Sequence, residues 1–342
     1  MELRRALGIE LPIVQAPMAG AQASALAIAV GNAGGLGSLP CALLDAASAR
    51  REIAAIRAAT PGVFNLNFFC HRPPAPDQAR EAAWRSALAP YYREFGLDLQ
   101  AIPTGPGRNP FDAASAALVE ELRPGVVSFH FGLPDEPLLA RVRASGARIL
   151  ASATTLEEAL WLEQRGVDAV IAQGLEAGGH RGHFLSGDLT RQLGTFALVP
   201  QLVRALRTPV IAAGGIADRA GVEAALRLGA SMVQVGTVYL CCPETTISRL
   251  HREALTSDAA RHTALTRLFT GRPARGIVNR LIREVGDASA PEFPLATSAI
   301  APLRAAAEAR GSSDFSPLWC GQNASGCSAA PAAEVTRALA GV

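Results

Sequence analysis

The chain has 342 residues, 49% of them hydrophobic and 18% charged, with a formal net charge of +2. No acidic or basic block marks a nucleic-acid or membrane-surface binder, so the partner expected is a small molecule, with an oligomer left open. All 32 basic residues are arginine, which excludes Schiff-base lysines, lysine-anchored pyridoxal phosphate and the phosphate-binding lysine of a Walker loop.

The amino-terminal stretch has no apolar run long enough for a signal peptide, and no segment reaches the ~18 residues of a membrane span, so a cytoplasmic protein is expected. Cys41, Cys70, Cys241, Cys242, Cys320 and Cys327 lack paired C-x-x-C spacing, and neither a metal site nor a disulfide framework is expected from them.

In chain order, short β-rich runs over 12–17, 36–40, 64–69, 126–131, 148–152, 169–172, 210–213 and 232–236 alternate with helical segments over 24–32, 46–59, 113–122, 136–144, 155–165, 196–206 and 219–228. Several helices stop at a glycine just before the next strand, as at Gly146, Gly166 and Gly229. Eight strand–helix units predict an α/β fold, a TIM-type (β/α)8 barrel with catalytic groups at the carboxyl ends of the strands. A doubly wound open sheet is the competing architecture. No G-x-G-x-x-G follows any strand, however, and the cluster Gly34-Gly35-Leu36-Gly37 precedes one, which speaks against a dinucleotide fingerprint.

Two segments break the alternation. Residues 71–112 form an insertion with one or two helices carrying Trp84, Tyr91 and Tyr92, and residues 243–315 read as helical, followed by a tail with a short Ala-rich helix. The expected organisation is a barrel over 1–70 and 113–242, a helical insertion over 71–112, and a cap region and tail over 243–342. Both extra segments are placed over the barrel mouth; for the insertion, a decorative excursion or an oligomer contact is an equal reading.

The candidate site gathers at the strand ends. The stretch DAVIAQGLEAGGHRGHF, residues 168–184, leaves its strand at Gln173 and continues through Gly178, Gly179 and His180 as a loop longer than an α/β connection needs. Its histidine is the side-chain type whose ordinary pKa lies near neutrality. Gly214-Gly215 after the seventh strand, and Gln234, Val235, Gly236 and Thr237 at the end of the eighth, stand where such barrels bind phosphate on bare backbone amides. Asn67 closes the third strand and His130 the fourth. Carboxamides suit the polar edge of a flavin or a purine. His130 is readable either as a substrate-facing group or as a hydrogen-bonded histidine of the barrel mouth.

Taken together, PIVQAPMAG, NLNFFCH, SFHFGLP, AQGLEAGGHRG, AAGGIADRAGVEAALRLGASMVQVGT, FTGRPARGIVNR and PLWCGQ resemble the nitronate monooxygenase family, once called 2-nitropropane dioxygenases, and its bacterial class I branch in particular. The resemblance runs from the first strand to the tail. It implies an FMN-dependent TIM barrel with a smaller helical domain over the mouth, oxidising alkyl nitronates of the propionate 3-nitronate type with O2 to carbonyl compound and nitrite. It further implies FMN contacts at Asn67, Gln173 and Gly178, phosphate contacts at Gly215 and along Gln234 to Thr237, and His180 as the active-site histidine. Relatives with a similar loop reduce quinones with NADH or enoyl-thioesters, so an NAD(P)H-dependent reductase is the alternative. A barrel that has lost catalysis and serves as a scaffold is a third possibility. A substrate carboxylate would require an arginine, and the sequence singles none out.

Overall fold

A computed structural model describes residues 2–75, 77–102, 108–286 and 290–342. Eight parallel strands form the barrel: β1 Ile13–Gln15, β2 Gly37–Pro40, β3 Phe64–Phe69, β4 Val126–His130, β5 Arg148–Ala153, β6 Ala169–Gln173, β7 Val210–Ala213 and β8 Met232–Val235. Each pairs with its sequence neighbour except between β1 and β2, and β8 returns to β1. A single bridge, with Leu36 N–H donating to the Ile13 carbonyl and Gln15 N–H to that of Leu36, closes the ring.

Strand periodicity then decides what faces the lumen. Val126, Leu150, Ala169, Ile171, Ile211 and Met232 point inward to an apolar plug that Leu3 and Leu7 of the helix Glu2–Leu7 complete from below. Further along several of these strands, the inward positions become polar. Ser128 and His130 on β4, Ser152 on β5, Gln173 on β6 and Gln234 on β8 share the phase of that plug, and Asn65 and Asn67 of the neighbouring β3 hydrogen-bond Ser128. The intervening residues, such as Val127, Val170, Val233 and Val235, join the outer core beneath the helices.

The helices follow the expected ranges within a residue, and side chains of Asp45, Asp112, Asp135, Thr155 and Asp218 cap five of them at their N-termini. The eighth wall position is filled differently from expectation. After β8 comes only the short 3-10 turn Thr237–Cys241, and the carboxyl-terminal helix Ala332–Ala340 packs between the helices Ser24–Asn32 and Arg219–Arg227. Ala332, Val335 and Leu339 belong to the outer core, and the Tyr239 hydroxyl lies 2.8 Å from Thr336 Oγ1. This helix therefore seals the barrel wall instead of the mouth, because an uncovered strand face would expose apolar surface.

The insertion and the 243–315 region share one second core. The helix Gln78–Phe95 buries Trp84, Leu88, Tyr91 and Tyr92 against Leu268, Phe269, Leu281, Ile300, Leu303 and Phe315. The region expected to be purely helical also contains a hairpin, Thr263–Thr266 with Ala274–Ile277, whose second strand pairs with Gly179–His180. That pairing ties the cap to the loop after β6. Among the described residues no helix is long and apolar enough to cross a membrane, and no cluster of His, Cys, Asp or Glu has the makings of a metal site.

Candidate active site

A cavity of about 310 Å3 opens at the carboxyl ends of the strands. Asn67, His130, Gln173, Gln234 and His180 line it with side chains, and Gly178, Gly214, Gly215, Gly236 and Thr237 line it from the loops. Val235 does not. Its neighbour Gln234 points inward, so strand parity sends Val235 into the outer core, where it is 2% exposed, and its carbonyl is engaged by Ala16 N–H. The tail contributes Trp319, Gly321 and Asn323, and the loop after β1 contributes Ala16 to Ala21; neither had been placed at the site.

One end of the cavity is built for an anion. Gly214 and Gly215 have φ of 117° and 73°, a left-handed pair that turns successive amides the same way. Among the described residues the N–H groups of Gly214, Gly215 and Gly236 donate to no acceptor. Gly236 also precedes the 3-10 turn at Thr237 without a side-chain cap. The helix that follows Gly215 is capped by its own Asp218, so the bare amides lie in the turn ahead of it. Two tail contacts brace this end: Gly321 N–H donates to Thr237 Oγ1 at 2.9 Å, and Asn323 Nδ2 to the Gly215 carbonyl at 3.1 Å. Deeper in, Gln234 Oε1 is buried and has no partner.

Two expected roles acquire a different physical basis. A Cβ at Gly178 would stand 2.5 Å from Gly321 N and 2.6 Å from the Cys320 carbonyl carbon, so its glycine is required by the tail passing over it. Gln173 uses both ends of its carboxamide within the loop: Nε2 donates to the His180 carbonyl at 2.9 Å, and Oε1 accepts from Gly182 N–H at 2.7 Å.

Further clamps hold the same loop. Arg181, fully buried, donates to the carbonyls of Gly174 and Gln173 and to Gln192 Oε1 at 2.7–2.8 Å. Glu158 accepts from Phe184 N–H at 2.5 Å and Leu185 N–H at 3.2 Å. An RGHF stretch reads as an exposed turn, and only the tertiary fold reveals that its arginine is internal. At the end of β4, Phe131 adopts φ of 72°, a costly conformation for an aromatic residue, just as the chain leaves His130 in the lumen.

His180 projects into the cavity from its short strand, with Nε2 2.9 Å from Thr270 Oγ1. The 2.9 Å contact fits both neutral tautomers, the Thr270 hydroxyl accepting from Nε2–H or donating to a bare Nε2. Burial first, then the charges of Arg108, His130 and Arg272, hold its pKa well below the ordinary value, so the ring is neutral. His130 is pushed to about 3 mainly by burial; its Nε2 lies 3.2 Å from the His180 carbonyl and its Nδ1 3.0 Å from Ser152 Oγ. It thus lines the cavity and also supports the loop. His71 and His183 are buried and driven to about 4 and about 3, and neither lines the cavity.

The family model described as nitronate monooxygenase matches residues 2–340. A nitronate monooxygenase of Paraburkholderia phytofirmans is 46% identical over 97% of this chain and 92% of its own length. One from Pseudomonas aeruginosa is 45% identical over 98% and 97%. Among solved structures, a nitroalkane oxidase from Streptomyces ansochromogenes superposes with a TM-score of 0.89 at 38% identity, covering 97% of this chain and 95% of that one.

Proposed function

The chain belongs to the nitronate monooxygenase family, and from that premise we propose that it oxidises alkyl nitronates with O2 to carbonyl compounds and nitrite, using FMN bound at the barrel mouth. The observation that carries this reading is the pairing, in one cavity, of unpartnered backbone amides with a buried neutral histidine.

The residues present fit a flavin nucleotide. The amides of Gly214, Gly215 and Gly236 and the Thr237 hydroxyl would hold a phosphate, and the unpartnered Gln234 Oε1 offers an acceptor to a ring or ribityl donor. Asn67, its Nδ2 engaged by Ser128, presents its remaining oxygen on the opposite wall. Flavin supplies the electron acceptor that O2 regenerates.

What remains for the chain is to bind, orient and exclude water. A nitronate is already a stabilised carbanion and needs no proton removed. Neutral His180 is held at Nε2 by Thr270, and in its Nε2–H tautomer Nδ1 would be the acceptor and the base for the C–H proton of a neutral nitroalkane. Gln173, Arg181 and His130 fix the loop that carries it. Phe69 and Trp319 pack beside it, with ring centroids 6.2 and 5.5 Å from that of His180.

The proposal is tested by supplying propionate 3-nitronate in air to FMN-replete protein and measuring O2 uptake, nitrite and carbonyl product. Stoichiometric nitrite and carbonyl product support it, and substrate-independent O2 uptake with no nitrite refutes it.

A further inference from the structure

Among the described residues three charged side chains line the cavity: Arg108, Arg304 and Glu308. The last two hold each other, with Arg304 Nε 2.8 Å from Glu308 Oε1, and Glu308 also accepts from Ser316 Oγ at 2.7 Å. Arg108 has no such partner. Among the described residues no carboxylate lies within ion-pair distance of it, its Nε is buried and unpartnered, and its one side-chain hydrogen bond is a long contact from Nη1 to Thr297 Oγ1 at 3.5 Å. A guanidinium stays protonated in proteins, and a buried cation is unfavourable unless an anion or acceptors meet it. Among the described residues Arg108 is thus the charged group on the cavity wall that meets no counter-charge.

Its distance from the reacting end is bounded by the structure. Both groups neighbour the Phe293 ring, which is 5.3 Å from the His180 ring centroid and 5.6 Å from Arg108 Cζ, so their separation is at most the sum, about 10.9 Å, within reach of one short ligand.

We propose that Arg108 is the specificity-determining residue of this enzyme, binding the carboxylate of a short acidic nitronate while the nitro group lies against His180. The proposal rests on the functional reading above and deepens it. Arg108 and Thr297 belong to the insertion and to the helix Thr297–Ala309, so the two segments outside the barrel together supply the selectivity.

The test compares propionate 3-nitronate with propane 1-nitronate, which lacks only the carboxylate, on FMN-replete wild type, Arg108→Leu and Arg108→Lys. The expected result is a KM for the acidic substrate raised tenfold or more in Arg108→Leu, a kcat changed by less than threefold, an unaltered KM for the neutral substrate, and partial rescue in Arg108→Lys. Equal KM changes on both substrates, or none, would overturn the proposal. A binding measurement keeps the question decidable if wild type oxidises neither nitronate, an outcome that falls on the functional reading, or if a variant loses turnover. Succinate should change the tryptophan emission of wild-type protein through Trp319 and compete with the acidic nitronate, whereas its dimethyl ester should do neither; loss of the succinate response in Arg108→Leu supports the assignment, and an equal response in wild type and variant overturns it.

Discussion

Replacing Gln234 by leucine should move two properties of the protein in opposite directions. Its Oε1 is buried without a partner, and an unsatisfied buried acceptor costs about 1–3 kcal/mol. Leucine has nearly the same volume and removes that acceptor, so the flavin-free variant should be more stable than flavin-free wild type by up to roughly that amount. In the flavin-loaded protein the same oxygen is expected to accept a hydrogen bond from the cofactor, and losing a neutral hydrogen bond of about 1.4 kcal/mol weakens binding about tenfold. The assay is a pair: thermal unfolding of deflavinated wild type and variant, and FMN dissociation constants from fluorescence quenching. A variant that is less stable without flavin and binds flavin as tightly as wild type would refute the reasoning, since Gln234 would then be a structural carboxamide.

Other perturbations separate loop clamping from chemistry. Gln173→Leu leaves Gly182 N–H unsatisfied, at about 1–3 kcal/mol, and frees the His180 carbonyl on one side, so kcat/KM should fall on every substrate while flavin content stays near wild type; flavin loss with intact turnover of the remaining holoenzyme would restore Gln173 as a cofactor contact. His180→Asn should abolish oxidation of a neutral nitroalkane yet keep much of the turnover on the nitronate, because only the former needs a base, typically worth 10²–10⁴-fold; matched losses on both would remove the base role. Because burial holds the His180 pKa well below its ordinary value, the nitroalkane reaction should not lose its base between pH 8 and 6.5, and an acid limb centred near 6.5 would contradict a neutral buried ring. Five histidines, at positions 71, 130, 180, 183 and 251, all have lowered pKa values. The unfolded chain binds protons there that the native state does not, so their stabilising contribution is complete above pH 6.5 and declines as pH falls towards 4, by up to about 1.4 kcal/mol per pH unit for each; acid unfolding whose midpoint is unmoved by His183→Phe would count against its share.

The barrel was legible because its units carry local signals: a short apolar run for each strand and, in several units, a glycine stop or an aspartate cap. Strand parity was also available. The phase that turns Gln173 and Gln234 inward turns Val235 outward, so its expected place among the cofactor contacts conflicts with the periodicity of its own strand. The partner of a side chain was not legible. The carboxamide of Gln173 meets backbone seven and nine residues away, and the glycine at 178 answers to a tail segment that arrives more than 140 residues later. The Ala-rich tail helix looks the same whether it covers a mouth or a wall, and only the missing helix after β8 decides between them. Arg108, in a Pro/Gly-rich stretch, carries no periodic pattern and becomes visible only once its neighbours on the cavity wall are known.

The most direct test of the account is the visible spectrum of the purified, FMN-replete protein mixed anaerobically with propionate 3-nitronate, and separately with NADH. Rapid bleaching of the flavin band by the nitronate, none by NADH, and return of the band with release of nitrite when O2 is admitted is the expected result. Bleaching by NADH alone would make the protein a reductase of the same fold, and a protein that takes up no FMN would contradict the assignment of the mouth cavity.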